Sequence, residues 1–205
     1  TSVQVSSYLA SGSQYLSNTT AKFVDFDNGG SVSFWLNSSD ITSESQILGS
    51  GVDYGDYFFQ HRPDAGIYWR FCAASSSPNV QTCMPMAGQV LELNKWYYIT
   101  YVLNDTGAAA TYVNGVLNVS NSATAVPTVQ TDFRLGTPTG LTFFSGSLEC
   151  VRVFNASLTP AQISLLYNSG EPTCVSLASL EGGGSSANES QGDTAIEVGI
   201  NSSLS

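Results

Sequence analysis

Residues 147–170 read SLECVRVFNASLTPAQISLLYNSG, and two periods meet inside them. The first half alternates, with Leu148, Cys150 and Phe154 on one side and Glu149, Val151 and Val153 on the other, the period-two pattern of a strand. The second half is helical. Thr159 is the expected N-cap, Pro160 takes the first helical position, and Gln162 stands three residues after the cap, as in a capping box. Leu158 is placed to staple onto Ile163, and Gly170 to end the helix. Ile163, Leu166 and Tyr167 form one apolar face, which suits a helix that plugs a sheet.

Upstream the sequence is strands and turns. In SVSFWL, Val32, Phe34 and Leu36 share a face. KWYYITYVL, residues 95–103, is apolar or aromatic on both faces, as in a central strand covered on both sides. TYVNGVLNV, residues 111–119, is a hairpin signal, with Asn114-Gly115 able to take the positive φ angles of a tight turn. Leu117 and Val119 are expected on one side, with Asn118 pointing out. Many short strands with one helix predict an all-β chain: a two-sheet antiparallel jelly-roll β-sandwich with one short C-terminal helix and an extended C-terminal tail strand.

The order SQYL, SVSFWL, NKWYYITYVLND with ATYVNG, FRLGTP and FSGSLECVRVFNASLTPAQISLLY resembles the laminin-G-like, concanavalin A-like jelly-roll family over residues 8–170. In that family an early aromatic strand, a tryptophan-led strand before a YVNG hairpin, and a closing strand-plus-helix motif follow in the same sequence. The resemblance implies a lectin-type or glucanase-type sandwich. It is expected to occupy residues 1–174, followed over 175–205 by a Gly/Ser-rich linker and a tail strand at 194–200.

Composition narrows the function classes. The 205 residues hold 16 acidic and 6 basic side chains, for a net charge of -10. That balance repels phosphate backbones and anionic lipid, so neither nucleic acid nor membrane insertion is expected. Charged residues make up 11%, well under the roughly one quarter usual for globular chains. Solubility therefore depends on hydroxyls and attached sugars. The sequence begins at Thr1 without Met, as a processed product would.

Asn18, Asn37, Asn104, Asn118, Asn155, Asn188 and Asn201 each precede x-Ser/Thr. These are seven of thirteen asparagines, where roughly three would arise by chance in so Ser/Thr-rich a chain. The excess predicts covalent N-glycans and a secreted or cell-surface protein. Four cysteines permit three pairings. The expected one joins Cys72 to Cys83 across CAASSSPNVQTC and Cys150 to Cys174, each worth roughly 3 kcal/mol if unstrained. Four reduced, buried thiols are the alternative. No C-x-x-C spacing is present and His61 is the only histidine, so a zinc site is not expected.

Catalysis is not expected either. A glycosidase needs two carboxylates across the scissile bond, and ELNKW and SLECV offer one acid each. His61, in the turn-like QHRPDAG, reads as a surface residue. No cofactor is predicted. Relatives in the resembled family sometimes hold calcium, and Asp25, Asp27 and Asn28, or Asp53 and Asp56, supply the available oxygens, but neither group reaches six ligands. An external carbohydrate could stack on the aromatic run DYGDYFFQHRPDAGIYWRF, with Tyr54 and Tyr57 its expected exposed members.

The tail TAIEVGI, residues 194–200, alternates Ile196, Val198 and Ile200 with smaller or polar residues after EGGGSSANESQGD. Such a strand is too short to stand alone and must pair with a sheet edge. A neighbouring subunit's edge is the expected partner, which predicts self-association into a homopolymer, a head-to-tail fibre or surface layer. The alternative function is a lectin-like adhesion module with the tail as spacer.

Overall fold

The computed structural model describes residues 2–10, 16–18, 29–50, 57–63, 68–74, 81–86, 91–122, 133–136, 143–170 and 195–197. Along the chain these form β1 (Ser2–Ala10), β2 (Leu16–Asn18), β3 (Gly30–Ser38), β4 (Ser45–Ser50), β5 (Tyr57–Arg62), β6 (Tyr68–Ala74) and β7 (Gln81–Pro85). There follow β8 (Trp96–Leu103), β9 (Ala109–Val113), β10 (Val116–Asn121), β11 (Phe133–Leu135), β12 (Gly146–Phe154), α1 (Pro160–Asn168) and β13 (Ala195–Glu197). A seven-stranded sheet runs β10-β9-β8-β3-β12-β1-β13, and a six-stranded sheet runs β2-β11-β4-β5-β6-β7. The predicted two-sheet sandwich with one short helix is the observed architecture. All pairings are antiparallel except β1 with β13 and an isolated bridge from Gln46 to Phe143.

Alternation sends one set of side chains from each sheet into the shared core. From the seven-stranded sheet come Val32, Phe34 and Leu36 of β3 and Tyr97, Ile99, Tyr101 and Leu103 of β8. From the six-stranded sheet come Ile47 and Leu48 of β4, Phe59 of β5, and Trp69 and Phe71 of β6. The rings of Phe71 and Tyr101 stack across the gap at 4.4 Å, and Phe34 meets Phe59 edge-on at 5.4 Å. Each such pair adds about 0.5–1.5 kcal/mol beyond the area it buries.

The central strand β8 is covered on both sides, as its double-faced apolar pattern predicts. Its outward Tyr98 lies against Trp35 at 5.1 Å and Tyr167 of α1 at 6.2 Å. α1 rests there, burying Ile163 and Leu166. Thr159 caps it, accepting from the Gln162 backbone N–H at 3.3 Å, while the Gln162 side chain accepts from the Thr159 backbone N–H at 2.8 Å. Gly170, with φ +111°, follows the last turn. At the hairpin, Asn114 and Gly115 adopt φ 51° and 76°, and the Asn114 carboxamide oxygen accepts from the Tyr98 backbone N–H.

Two bulges overturn the simple alternation. In β12 the register shifts between Glu149 and Arg152, and Cys150 takes a positive φ of 49°. Leu148, Val151 and Val153 therefore enter the core together, while Cys150 turns outward beside Trp35, Tyr98 and Leu166. In β10 the shift falls between Leu117 and Val119. Val119 packs on the core, but Leu117 is left 52% exposed, so the two do not share a side. A bulge adds one residue to one strand and flips every side chain beyond it.

β13 lies parallel to β1, pairing Ala195, Ile196 and Glu197 with Ser2, Val3 and Gln4. Within this chain the tail strand thus lies along its own β1. Val198 and Ile200 lie outside the described residues.

Gly146 starts β12 at φ +149°, where a methyl group would overlap the Asn37 carbonyl oxygen and the Phe144 ring. Gly146→Ala is expected to cost roughly 1–3 kcal/mol, more than the ~1 kcal/mol from uncapping α1 by Thr159→Ala. Urea midpoints of the two variants beside the parent measure the difference.

Candidate functional site

The outward face of the six-stranded sheet carries a row of planar polar groups. Gln46 of β4, Gln60 of β5 and Arg70 of β6 are direct cross-strand neighbours. Alternation places them there, because Phe59, His61, Trp69 and Phe71 on either side of them in sequence point inward. Gln46 and Gln60 are buried and Arg70 is half-buried. With its amide oxygen turned toward the guanidinium, Gln60 accepts from Arg70 Nε at 2.8 Å and from Nη2 at 2.5 Å. Two bonds to one oxygen hold the guanidinium plane in place.

One row further along, Arg62 Nε stands 3.7 Å from Glu44 Oε1, each side chain about one third exposed (31% and 39%). Arg134 of β11 pairs in register with Gly49 of β4. Arg62 and Arg70 therefore share one face of a protein whose net charge is -10. The Cys72–Cys83 disulfide, also outward, ties β6 to β7 at directly paired positions. YFFQHR and YWRF show the alternation in sequence, but the register that aligns Gln46, Gln60 and Arg70 is not legible there.

His61 is not at the surface. It points into the core at 0% exposure, between its cross-strand neighbours Ser45 and Trp69, with its ring centroid 4.8 Å from the Trp69 ring. The proline after Arg62 ends the strand one residue too late to release it. Its Nδ1 lies 3.2 Å from the Ser43 carbonyl oxygen, which only accepts, so the neutral ring carries its proton on Nδ1. The loop before β4 aims that carbonyl: Asp40 Oδ1 accepts from both the Thr42 N–H and its hydroxyl at 2.7 Å. These bonds from Thr42 hold the Asp40 pKa below its ordinary value. Burial lowers the His61 pKa, and the Ser43 carbonyl and the Asp40 charge oppose that shift only partly.

On the outward face of the seven-stranded sheet, Ser33, Thr100 and Arg152 form a buried polar row beside Tyr98. Burial raises the Tyr98 phenol pKa, against the influence of Ser33, Arg152 and Thr100. α1 and the segment before it pack on this face: Ser31 Oγ donates to the Ala156 carbonyl and accepts from the Leu158 N–H.

The predicted disulfide Cys72–Cys83 is present, and Cys150 is disulfide-bonded. Its expected partner Cys174 lies outside the described residues, as do Asp25, Asp27, Asn28, Asp53, Asp56, Tyr54, Asn188 and Asn201. Tyr57 opens β5 opposite Ser50 and Ala73. Among the described residues no group of three His, Cys, Asp or Glu could hold a metal ion, and no helix is long and apolar enough to cross a membrane. Asn18 lies in β2, opposite Phe133. Asn37 is half-buried at the end of β3, Asn118 is half-buried at the β10 bulge, and Asn155 is exposed between β12 and α1. Asn104 is half-buried, its side-chain oxygen accepting from Thr106 N and Oγ1 and from Ala108 N.

A family model described as the concanavalin A-like lectin/glucanases superfamily matches residues 10–164. The chain belongs to this superfamily. Solved structures of similar fold include the binding domain of botulinum neurotoxin serotype D, with TM-score 0.63 at 17% identity over 78% of this chain and 42% of that one. Domain 4 of a GH43 extracellular arabinanase from Geobacillus stearothermophilus, in complex with arabinotriose, gives TM-score 0.53 at 23% identity over 68% and 66%. The serotype D ligand binding domain in complex with N-acetylneuraminic acid gives 0.55 at 18% identity over 69% and 36%. This superfamily chain thus spans about two fifths of the neurotoxin domains it matches, 42% and 36%. No curated protein sequence matches it. The oxidised Cys72–Cys83 pair fits an oxidising, extracellular-type environment.

His61 makes acid stability testable, because it is the chain's only histidine. Its folded pKa is depressed, so the unfolded chain binds the proton more readily. Stability is expected to be fully present above the unfolded value near ~6.5 and to fall as pH drops below it. Glu149 acts oppositely, since burial raises its pKa and protonation then favours the fold. The His61 contribution is isolated by comparing urea midpoints of the parent and His61→Gln between pH 7.5 and 5, where the variant's curve is expected to be flatter.

Proposed function

We propose that this chain is a non-enzymatic carbohydrate-binding domain of an extracellular glycoprotein, with the outward face of the six-stranded sheet as its contact surface. The observation that carries this reading is Arg70, held in plane by Gln60, with Arg62 on the same face of an acidic chain. A guanidinium fixed in plane is the chemistry that recognises sugar hydroxyls and, more strongly, a sugar carboxylate. Membership of a lectin/glucanase superfamily supports the same reading, as do two solved relatives in complex with N-acetylneuraminic acid and arabinotriose. Several of the described acids have other roles. Asp40 holds a loop, Glu44 faces Arg62, Glu92 pairs with Lys95 at 2.9 Å, and Glu149 lies on the other sheet.

Glycan-array binding by the full chain, followed by titration of the best saccharide, tests the reading. Arg70→Met is expected to weaken that binding about tenfold or more, as loss of a charged hydrogen bond implies, with the circular dichroism spectrum unchanged. No retained saccharide, or equal binding by parent and variant, sinks it. Release of reducing sugar from the bound saccharide would instead make the domain a hydrolase.

A second reading, assembly by strand donation, rests on the three-residue parallel pairing of β13 with β1. Twenty-four residues, 171–194, separate Gly170 from Ala195, long enough to reach an edge in cis or in a second copy. Cysteines at Val3 and Ile196, which are register partners, are expected to crosslink within one chain in dilute solution and between chains at high concentration if donation operates. Crosslinks that stay intramolecular at every concentration remove this reading.

A further inference from the structure

The two ends of the seven-stranded sheet are treated differently. At one end β13 covers β1. At the other, among the described residues, β10 pairs with β9 and ends the sheet, near β7 and α1, with Asn118 and Asn121 each held by a further interaction. A terminal strand presents unpaired backbone groups to any other strand that approaches. Proteins usually blunt such an edge with lysine, proline or an inward charge. β10 reads VLNVSN and contains none of these three, leaving its bulge as the backbone feature that twists this edge.

Its side chains increase the hazard. Val116 is 69% exposed and Leu117 52%, two of the four large apolar side chains that stand out among the described residues. The geometry leaves no way to hide them. The Asn114-Gly115 turn starts the strand at Val116, and the bulge sends Val119 into the core while turning Leu117 outward opposite Tyr112. An uncharged, proline-free edge run that opens on two exposed apolar side chains is a template for strand addition. Besides Asn121 at its end, this strand carries the sequon Asn118-Val119-Ser120, with Asn118 half-buried at the bulge and Ser120 exposed.

We propose that Asn118 carries an N-linked oligosaccharide whose role is to cover the β10 edge and prevent edge-to-edge pairing. The proposal rests on the extracellular reading given above. In the modification, Asn118 Nδ2 attacks the anomeric carbon of a lipid-linked oligosaccharyl diphosphate. The new N–C bond forms as the C–O bond to the diphosphate breaks. The lipid diphosphate leaves with that electron pair, and the nitrogen gives up one proton. The attached sugar then stands over Val116 and Leu117 at the point where an incoming strand would align. Bulk and hydration at that point act where charge is missing.

The full chain, secreted from a eukaryotic host, is analysed by glycopeptide mass spectrometry, and its oligomeric state is followed by light scattering across a concentration series. Ser120→Ala is the decisive variant, because it removes the sequon and leaves the Asn118 side chain in place. Asn155→Gln, at an exposed sequon away from the edge, is the control. Glycan on Asn118 of the parent, association of Ser120→Ala at concentrations where parent and control stay monomeric, and unchanged melting of its monomer support the proposal. A bare Asn118 with other sequons occupied overturns it and leaves the extracellular reading standing. No occupied sequon overturns both. Ser120→Ala that stays monomeric, or a control that associates equally, also overturns it. If Ser120→Ala is not secreted, endoglycosidase trimming of the native parent gives the same comparison, with association expected and continued monomers overturning the idea.

Discussion

Everything in this molecule depends on the aromatic seam between the two sheets. Phe71 stacks on Tyr101 at 4.4 Å, Phe34 meets Phe59, and Phe59 lies against both Trp69 and Phe71. Neither sheet could hold its face of aromatic and branched side chains against water alone, and each supplies the other's cover. Because the seam includes neighbouring positions of β5 and β6, it sets which residues of those strands face out. Gln60 and Arg70 are outward because Phe59 and Phe71 are inward. The candidate binding face is therefore a consequence of the core.

The same logic explains the polar groups that end up inside. His61 follows Phe59 by two residues, so alternation carries it inward, and the fold accommodates it through the Ser43 carbonyl. The loop that presents this carbonyl is ordered by Asp40 and Thr42, which links an acid-sensitive group to the end of the sandwich. On the far side of the seven-stranded sheet, α1 gives Trp35 and Tyr98 an apolar cover, so a third layer is needed only where the sheet is aromatic on both faces.

Charge distribution gives the fold a direction. Arg62 and Arg70 share one face of the six-stranded sheet in a chain whose net charge is -10. The sheet ends add a second asymmetry, with a strand over β1 and an exposed apolar edge at β10.

Much of this was legible in the sequence by itself. Period-two runs such as SVSFWL and KWYYITYVL, the Asn114-Gly115 turn and the Thr159-to-Gln162 capping box are local, and local chemistry determined that the chain forms strands, this hairpin and this helix. The spacing of Cys72 and Cys83 likewise anticipated their bond. What only the tertiary structure decided depends on pairing between distant residues. The bulges at Cys150 and Asn118 arise from fitting one strand to its neighbour, and they moved Val151, Val153 and Leu117 to faces that alternation alone assigns wrongly. His61 looked like a turn residue because its burial depends on Ser45 and Trp69, which are neighbours only across strands. Arg70 became a candidate anchor because register set it beside Gln60, and register is a property of the assembled sheet, where the burial of a whole face selects one alignment over the next.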